Sequence, residues 1–214
     1  MQYKYDNVRC GHHGRHLGFE MLIFDNDREW PEGVLKHFQH LVTQRGVESR
    51  YYGPYNFMLS YVTGFSEDYE VAPQTSVVGL GDDRVDFVVW YVVRDAARRV
   101  LLIVEVKDDS QAATPSTRDR ADVQMRARFR DLSSAETLNP RVYGISLLGT
   151  RMTVYTLDTV SGAMDPEAPQ RGNRSHMLPR DYMADWWDKD ILSQSGFDAM
   201  KRIMADVRAM SEHT

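Results

Sequence analysis

Two apolar runs, RVDFVVWYVV and VLLIVEVK, are separated only by the six residues RDAARR, and that spacing constrains the fold more than any other feature of the chain. Both runs are rich in β-branched and aromatic residues, the composition of strands. A parallel crossover needs a dozen or more residues, so the two must pair as an antiparallel hairpin. Nearly every position in both is apolar, which predicts a sheet covered on both faces. Helices must supply that cover. A third run, YEVAPQTSVVG, precedes them and makes three strands in quick succession.

Helical periodicity stands on either side. Between Glu32 and Gln44, residues Val34, Leu35, Phe38, Leu41 and Val42 recur at helical spacing, and Gly46 can end that helix. A second helix begins near Pro54, carries Phe57, Met58, Tyr61 and Val62 toward the core, and stops around Gly64. In DRADVQMRARFRDLS a stripe of Ala121, Met125, Phe129 and Leu132 faces inward, with Gln124 and Arg128 at its edge. RVYGISLLG and MTVYTLD form a tight hairpin across Gly149 and Thr150. Residues 161–181, with three prolines and three arginines, read as a long loop. The last helix places Phe197, Met200, Ile203, Met204, Val207 and Met210 on one face, as core or as the seam of a homodimer. Residues 1–31 read as an arm with a short strand at FEMLIF, and 32–214 as a single domain. This order predicts an α/β domain: a central mixed β-sheet of about five strands, flanked by helices on both faces.

Composition narrows the function classes. No window approaches the roughly 20 apolar residues of a membrane span, and MQYKYDNVRCGHHGRH lacks a secretory apolar stretch. An intracellular protein, cytoplasmic or nuclear, with no membrane partner is therefore expected. Cys10 is the single cysteine, so no internal disulfide framework exists. The net charge of -5 argues against coating nucleic acid through bulk charge, and leaves a local basic surface open. Lysines are scarce, five in all, which makes the placement of Lys107 informative.

Strand alternation puts Leu101, Ile103, Glu105 and Lys107 on one face, so an acid and a lysine emerge together at a strand end. Asp86 interrupts the preceding strand. A hairpin across RDAARR in which paired residue numbers sum to roughly 192 brings Asp86 level with Glu105 and Lys107. Two adjacent buried carboxylates call for neutralisation, and a divalent cation can provide it. Mg²⁺ or Mn²⁺ held by two carboxylates and the Val106 carbonyl leaves positions for water and a phosphate oxygen, which is phosphodiester hydrolysis in outline. The order Asp86, apolar run, Glu105-Val106-Lys107 resembles the D…ExK signature of the PD-(D/E)XK nuclease-like superfamily, over about half the chain from Glu48 to Asp158. No proline precedes Asp86, a departure from the full motif. YYGPYNFMLSY, ADVQMRAR and RVYGISLLGTRMTVY are also similar to uncharacterised fungal nuclease-like proteins.

The resemblance implies a restriction-endonuclease-like fold and a metal-dependent endonuclease acting on DNA more than RNA. It implies Asp86 and Glu105 as metal ligands, Lys107 as assistant to the attacking water, and Gln124, placed where RecB-like members carry a glutamine, as a positioning group. An acid from the first core helix often joins such sites; Glu48 is the first candidate and Glu32 the second. Arg118, Arg126 and Arg128 are candidates for nucleic-acid contact, although interleaved Asp119, Asp122 and Asp131 equally describe a solvated, salt-bridged helix face. Cys10, His12, His13 and His16 lack the second half of a zinc-finger spacing. His37 and His40 read as surface residues. Of Trp186 and Trp187, one is expected to anchor the terminal helix rather than stack on bases. The alternative function is a catalytically inactive nuclease-like module that binds nucleic acid or a protein.

Overall fold

The hairpin dictated by RDAARR forms and sets the axis of the sheet. A computed structural model describes residues 23–43, 48–64, 68–80, 84–135, 138–169 and 177–212, with the backbone alone at 23, 42–43, 74–80, 84–92, 132–135, 138 and 211–212. Strands β1 (Tyr69–Leu80), β2 (Arg84–Asp95), β3 (Val100–Lys107), β4 (Leu138–Leu148) and β5 (Arg151–Asp158) lie in that order. The two-residue strands β6 (Met164–Asp165) and β7 (Lys189–Asp190) both pair with β5. Among the described strands only β3 and β4 pair in parallel. The crossover between them is α4 (Pro115–Ala135), long enough to return the chain to the same end of the sheet. The expected mixed α/β sheet is therefore present, with two short additions.

Both faces are covered, as the unbroken apolar runs require. On one face Leu102, Val104 and Val106 of β3 and Tyr143, Ile145 and Leu147 of β4 meet α2 (Glu32–Gln39), α3 (Tyr52–Val62) and α5 (Gln194–Glu212). On the other, Met125 and Phe129 of α4 pack on Val100, Ile103, Val142, Tyr155 and Leu157. Gly144 permits that approach: a Cβ there would stand 2.7 Å from Met125 Sδ and 2.8 Å from Phe129. Leu101 joins the first cluster, not the face of Ile103, because the β3–β4 register shifts between Val100 and Leu102.

Several expectations are corrected by packing. Segment 1–31 is not simply an arm: Ile23–Asn26 forms a helical turn, α1, where a strand was expected, and Phe24 and Trp30 lie in the main core. Residues 1–22, with Cys10, His12, His13 and His16, lie outside the described residues. The Met-rich stripe of α5 is not a dimer seam. Phe197, Met200, Ile203, Met204 and Val207 are buried within the chain's own core, and Met210 packs against it. Trp187 is buried with Ala121, Leu148 and Met183, so it anchors the loop before β7 to α4 and not the terminal helix. Helix α2 ends at Gln39 and continues as a 3-10 turn, His40–Thr43; Gly46 lies outside the described residues. His37 is exposed and stacks on Phe57 with ring centroids 4.2 Å apart. No helix among the described residues is long and apolar enough to cross a membrane.

Lys201 explains how α1 is held. Its ammonium donates to the carbonyls of Phe24 (2.8 Å), Asp25 (2.6 Å) and Asp27 (3.1 Å), and sits over the Phe24 ring. The last carbonyls of a helical turn carry partial negative charge and have no partners of their own. Lys201→Met keeps the aliphatic stem and orphans all three acceptors. It is expected to lower stability by about 2–3 kcal/mol, measured by denaturant unfolding against the parent.

Candidate metal and phosphate site at the end of β3

Glu105 is 1% exposed, and neither of its carboxylate oxygens accepts a hydrogen bond. Lys107, two residues on and therefore on the same face, places Nζ 3.6 Å from Oε1. Arg128, reaching over from α4, places Nε 4.0 Å from Oε2. Burial pushes the Glu105 carboxyl above its ordinary value, and the charges of Lys107 and Arg128 only partly oppose that. A buried carboxylate without hydrogen bonds is costly for the fold. One turn before Arg128, Gln124 also has a buried Oε1 without a partner.

A second acid arrives from the opposite layer. Glu48 opens the 3-10 turn Glu48–Tyr51 that leads into α3, and the Tyr52 hydroxyl donates to its Oε1 at 2.8 Å. Burial raises the Glu48 carboxyl; the bond from Tyr52 and the Lys107 charge lower it, while Glu105 and Asp108 repel its charge. Glu48 thus lies within electrostatic reach of Glu105, Lys107 and Asp108. Glu32, the other helical candidate, is exposed on α2 and pairs with Lys36 at 2.8 Å.

The turn carrying Glu48 is fastened by Arg50. Its buried guanidinium contacts Asp108 Oδ2 at 3.0 Å, Asp109 Oδ1 at 2.8 Å and the Leu41 carbonyl at 3.1 Å. Asp108 is not part of a solvated turn: it is 4% exposed and accepts the Ser110 N–H at 3.0 Å, capping the 3-10 turn Asp109–Ala113. Burial raises its carboxyl, but the bonds from Ser110 and the Arg50 charge outweigh burial and hold it below the usual range. The end of β3 is fixed from a third direction. Gly149 N–H donates to the Lys107 carbonyl at 2.8 Å, and the Tyr55 hydroxyl donates to the Gly149 carbonyl at 2.6 Å.

No family model, curated protein or solved structure matches the chain.

The site's residues therefore have to be read from their geometry. Among the described residues, which do not include the Asp86 side chain, no three His, Cys, Asp or Glu side chains are disposed to hold a metal. Two carboxylates, Glu48 and Glu105, do share a neighbourhood, and hard cations are commonly held by one or two acids plus water. The bare oxygens of Glu105 fit such an ion. Val106, whose carbonyl was the third expected ligand, is fully buried and pairs with Leu147.

Asp86 is the main departure. The β2–β3 register pairs Trp90 with Glu105, so paired numbers sum to 195 and not 192. Asp86 stands four residues before Trp90, about 13 Å along the strand from the level of Glu105. Its side chain lies outside what the structure describes. The slip originates in the turn. Asp95 accepts the Arg98 N–H, Arg98 adopts φ 62°, and a register shift follows between Val93 and Arg94.

The three arginines of α4 part company. Arg118 is 6% exposed and donates to the carbonyls of Ala112, Arg180 and Tyr182. Arg126 is 8% exposed, pairs with Asp122 at 2.9 Å and donates to the Pro166 carbonyl. Both guanidiniums are consumed in bracing the chain onto α4, so neither is placed to follow a phosphate backbone. Arg128 alone of the three turns to Glu105. Sequence reasoning missed Arg50 and Asp108; the arginine two residues after Glu48 and the acid after Lys107 were the available signals.

Proposed function

We propose that the chain is a divalent-metal-dependent phosphodiesterase that cleaves nucleic acid, DNA in preference to RNA, as an endonuclease. The observation that carries this reading is Glu105: a buried carboxylate with two bare oxygens, beside a lysine, a second acid and an unpartnered glutamine oxygen. The element order α3, β1, β2, β3, α4, β4, with α4 as the parallel crossover after the ExK strand, supports the restriction-endonuclease-like fold implied by the D…ExK resemblance.

Glu105 and Glu48 would hold Mg²⁺ or Mn²⁺ with the Val106 carbonyl. The cation, when bound, stabilises charge on a phosphoryl oxygen and acidifies water. Lys107 orients the attacking water or neutralises charge that develops on the phosphate. Gln124 offers its Oε1 to a water N-terminal to Arg128 on the same helix edge. Cleavage of supercoiled, linear, single-stranded and branched DNA and of RNA, with Mg²⁺ and with Mn²⁺, tests the reading. Lys107→Ala and Glu48→Ala are each expected to slow cleavage about 10²-fold or more, and Asp86→Ala to slow it less than either. Parent-like rates in both of the first two variants would refute the assignment.

A second reading has its own observation. With Asp86 displaced along β2, Glu105 lacks the strand partner of an intact D…ExK site, which favours a nuclease-like module that grips nucleic acid or protein without turnover. Calorimetric titration with Mn²⁺ separates the two, because a module without turnover has no need of Glu105-dependent metal uptake.

A further inference from the structure

The geometry points to Arg50 as a positioning residue: clasped to Asp108, it holds Glu48 at the separation from Glu105 at which the two acids share one cation. This inference rests on the metal-dependent reading above and adds what sets the spacing of its ligands.

The two acids arrive on separate layers. Glu105 is carried by β3, and Glu48 by the 3-10 turn Glu48–Tyr51 that leads into α3. Ionised carboxylates have no donor to offer one another, and the charges of Glu105 and Asp108 repel that of Glu48 while Lys107 attracts it. Before a metal enters, the turn has to be held against that repulsion. Arg50 lies two residues after Glu48 in the same turn, and its guanidinium stands 3.0 Å from Asp108 Oδ2. Asp108 follows Lys107 directly in the chain, so this ion pair joins the turn to the strand end. Both members of the pair are anchored. Arg50 also reaches Asp109 Oδ1 at 2.8 Å and the Leu41 carbonyl at 3.1 Å, while Asp108 accepts the Ser110 N–H at 3.0 Å.

The other contacts of this segment leave the spacing to Arg50. The Tyr52 hydroxyl donates to Glu48 from within the same segment, so it orients the carboxyl without tying it to β3. Tyr55, whose hydroxyl donates to the Gly149 carbonyl, fixes α3 one turn further on. Tyr51 is buried and keeps the turn on the core, but burial is non-directional and tolerates a small slide. A guanidinium paired with a carboxylate fixes distance and direction together. The side chains of Arg50 and Asp108 are 4% and 6% exposed, so salt screens the pair little. Residues that orient metal ligands from behind commonly govern affinity about 10- to 100-fold without touching the ion.

The test uses the full chain and Mn²⁺, with affinity measured by calorimetry and melting curves as the check on folding. Arg50→Met is expected to weaken Mn²⁺ binding about tenfold or more. Loss of a positive charge would by itself tighten the binding of a cation, so the expected sign belongs to position and not to charge. Arg50→Lys keeps the charge without the planar fork; it is expected to weaken Mn²⁺ binding by a smaller factor, and it decides the matter if Arg50→Met does not fold. Because Arg50 acts through Glu48, Arg50→Met in a Glu48→Gln background is expected to change Mn²⁺ affinity no further. Lys201→Met, which loosens α1, is expected to lower stability and keep the parent Mn²⁺ affinity, and a merely structural Arg50 would behave like it. Folded Arg50→Met or Arg50→Lys protein with parent-like or tighter Mn²⁺ binding overturns the inference, and so does an undiminished effect of Arg50→Met in the Glu48→Gln background. A parent that takes up no Mn²⁺ overturns the metal-dependent reading as well, so the two failures are distinct.

Discussion

Glu105→Gln is expected to abolish metal-dependent cleavage and to raise the melting temperature of the metal-free protein. The loss, about 10³-fold, follows from removing the one carboxylate among the described residues that combines deep burial with two bare oxygens. The gain follows from the same burial. Glu105 is held above its ordinary carboxyl range because desolvation outweighs the pull of Lys107 and Arg128. The folded chain therefore holds a carboxyl whose ionised form its surroundings disfavour, and a neutral amide of the same shape relieves it. Substitutions that relieve a functional residue of this sort commonly return about 0.5–2 kcal/mol, or a few degrees.

The pH dependence has a definite sign. A carboxyl raised on folding binds protons more readily in the folded chain, so its contribution to stability is full below the unfolded value near 4.5 and is lost as pH rises through the folded value. The thermal advantage of Glu105→Gln should therefore grow as pH rises through the folded value and shrink as pH falls toward 4.5. Glu48, raised also by burial, acts in the same direction and is common to both proteins. Asp108 acts oppositely, its stabilisation being lost only as pH falls below the ordinary 3.8, outside this window. Melting curves of both proteins at several pH values decide the matter; an advantage that grows on acidification would contradict the assigned burial effect.

Gly149→Ala is expected to damage both fold and site. Gly149 adopts φ +65°, a conformation that costs about 1–2 kcal/mol for a residue with a Cβ. A Cβ there would also lie 2.5 Å from Asp109 Cβ and 3.0 Å from its Cα, atoms that cannot rotate away. The loss should reach about 3 kcal/mol or more, equivalent to a fall in melting temperature near 8 °C for a chain of this size. Because Gly149 holds the Lys107 carbonyl, cleavage should fall in the molecules that remain folded. Gly162→Ala provides the comparison: φ is +74°, but nothing lies within 4 Å of its Cβ. Conformational cost alone, about 1 kcal/mol, and unchanged cleavage are expected. Equal effects at the two glycines would show that the clash with Asp109 does not matter.

Features fixed by neighbours in sequence were legible in the chain; features fixed by distant segments were not. The β2–β3 hairpin, the Gly149–Thr150 turn and the buried stripe of Ala121, Met125 and Phe129 arise from local spacing and formed, the hairpin with its register displaced from the one expected. A helical wheel could place Arg118 and Arg126 on α4 but could not foresee the loop around Arg180 and Tyr182, or Pro166, whose carbonyls take their donors. Phe24 and Trp30 sit in a segment without clear periodicity, and their burial depends on Phe197, far along the chain. At the site, Glu105 with Lys107 followed from alternation, and Glu48 from the resemblance. Asp108 did not, since an acid in KDDS looks solvated until Arg50 closes over it.

The turn at Asp95–Arg99 acts as a vernier for β2. Its backbone settings decide how far one strand is displaced against its neighbour, in steps of one residue, and odd steps invert every side chain while even steps preserve orientation. Removing four residues of β2 beside the turn would bring Asp86 opposite Glu105, with its orientation unchanged. The acidic complement of the site is thus adjustable from the far end of the hairpin, without touching any residue that would meet a ligand.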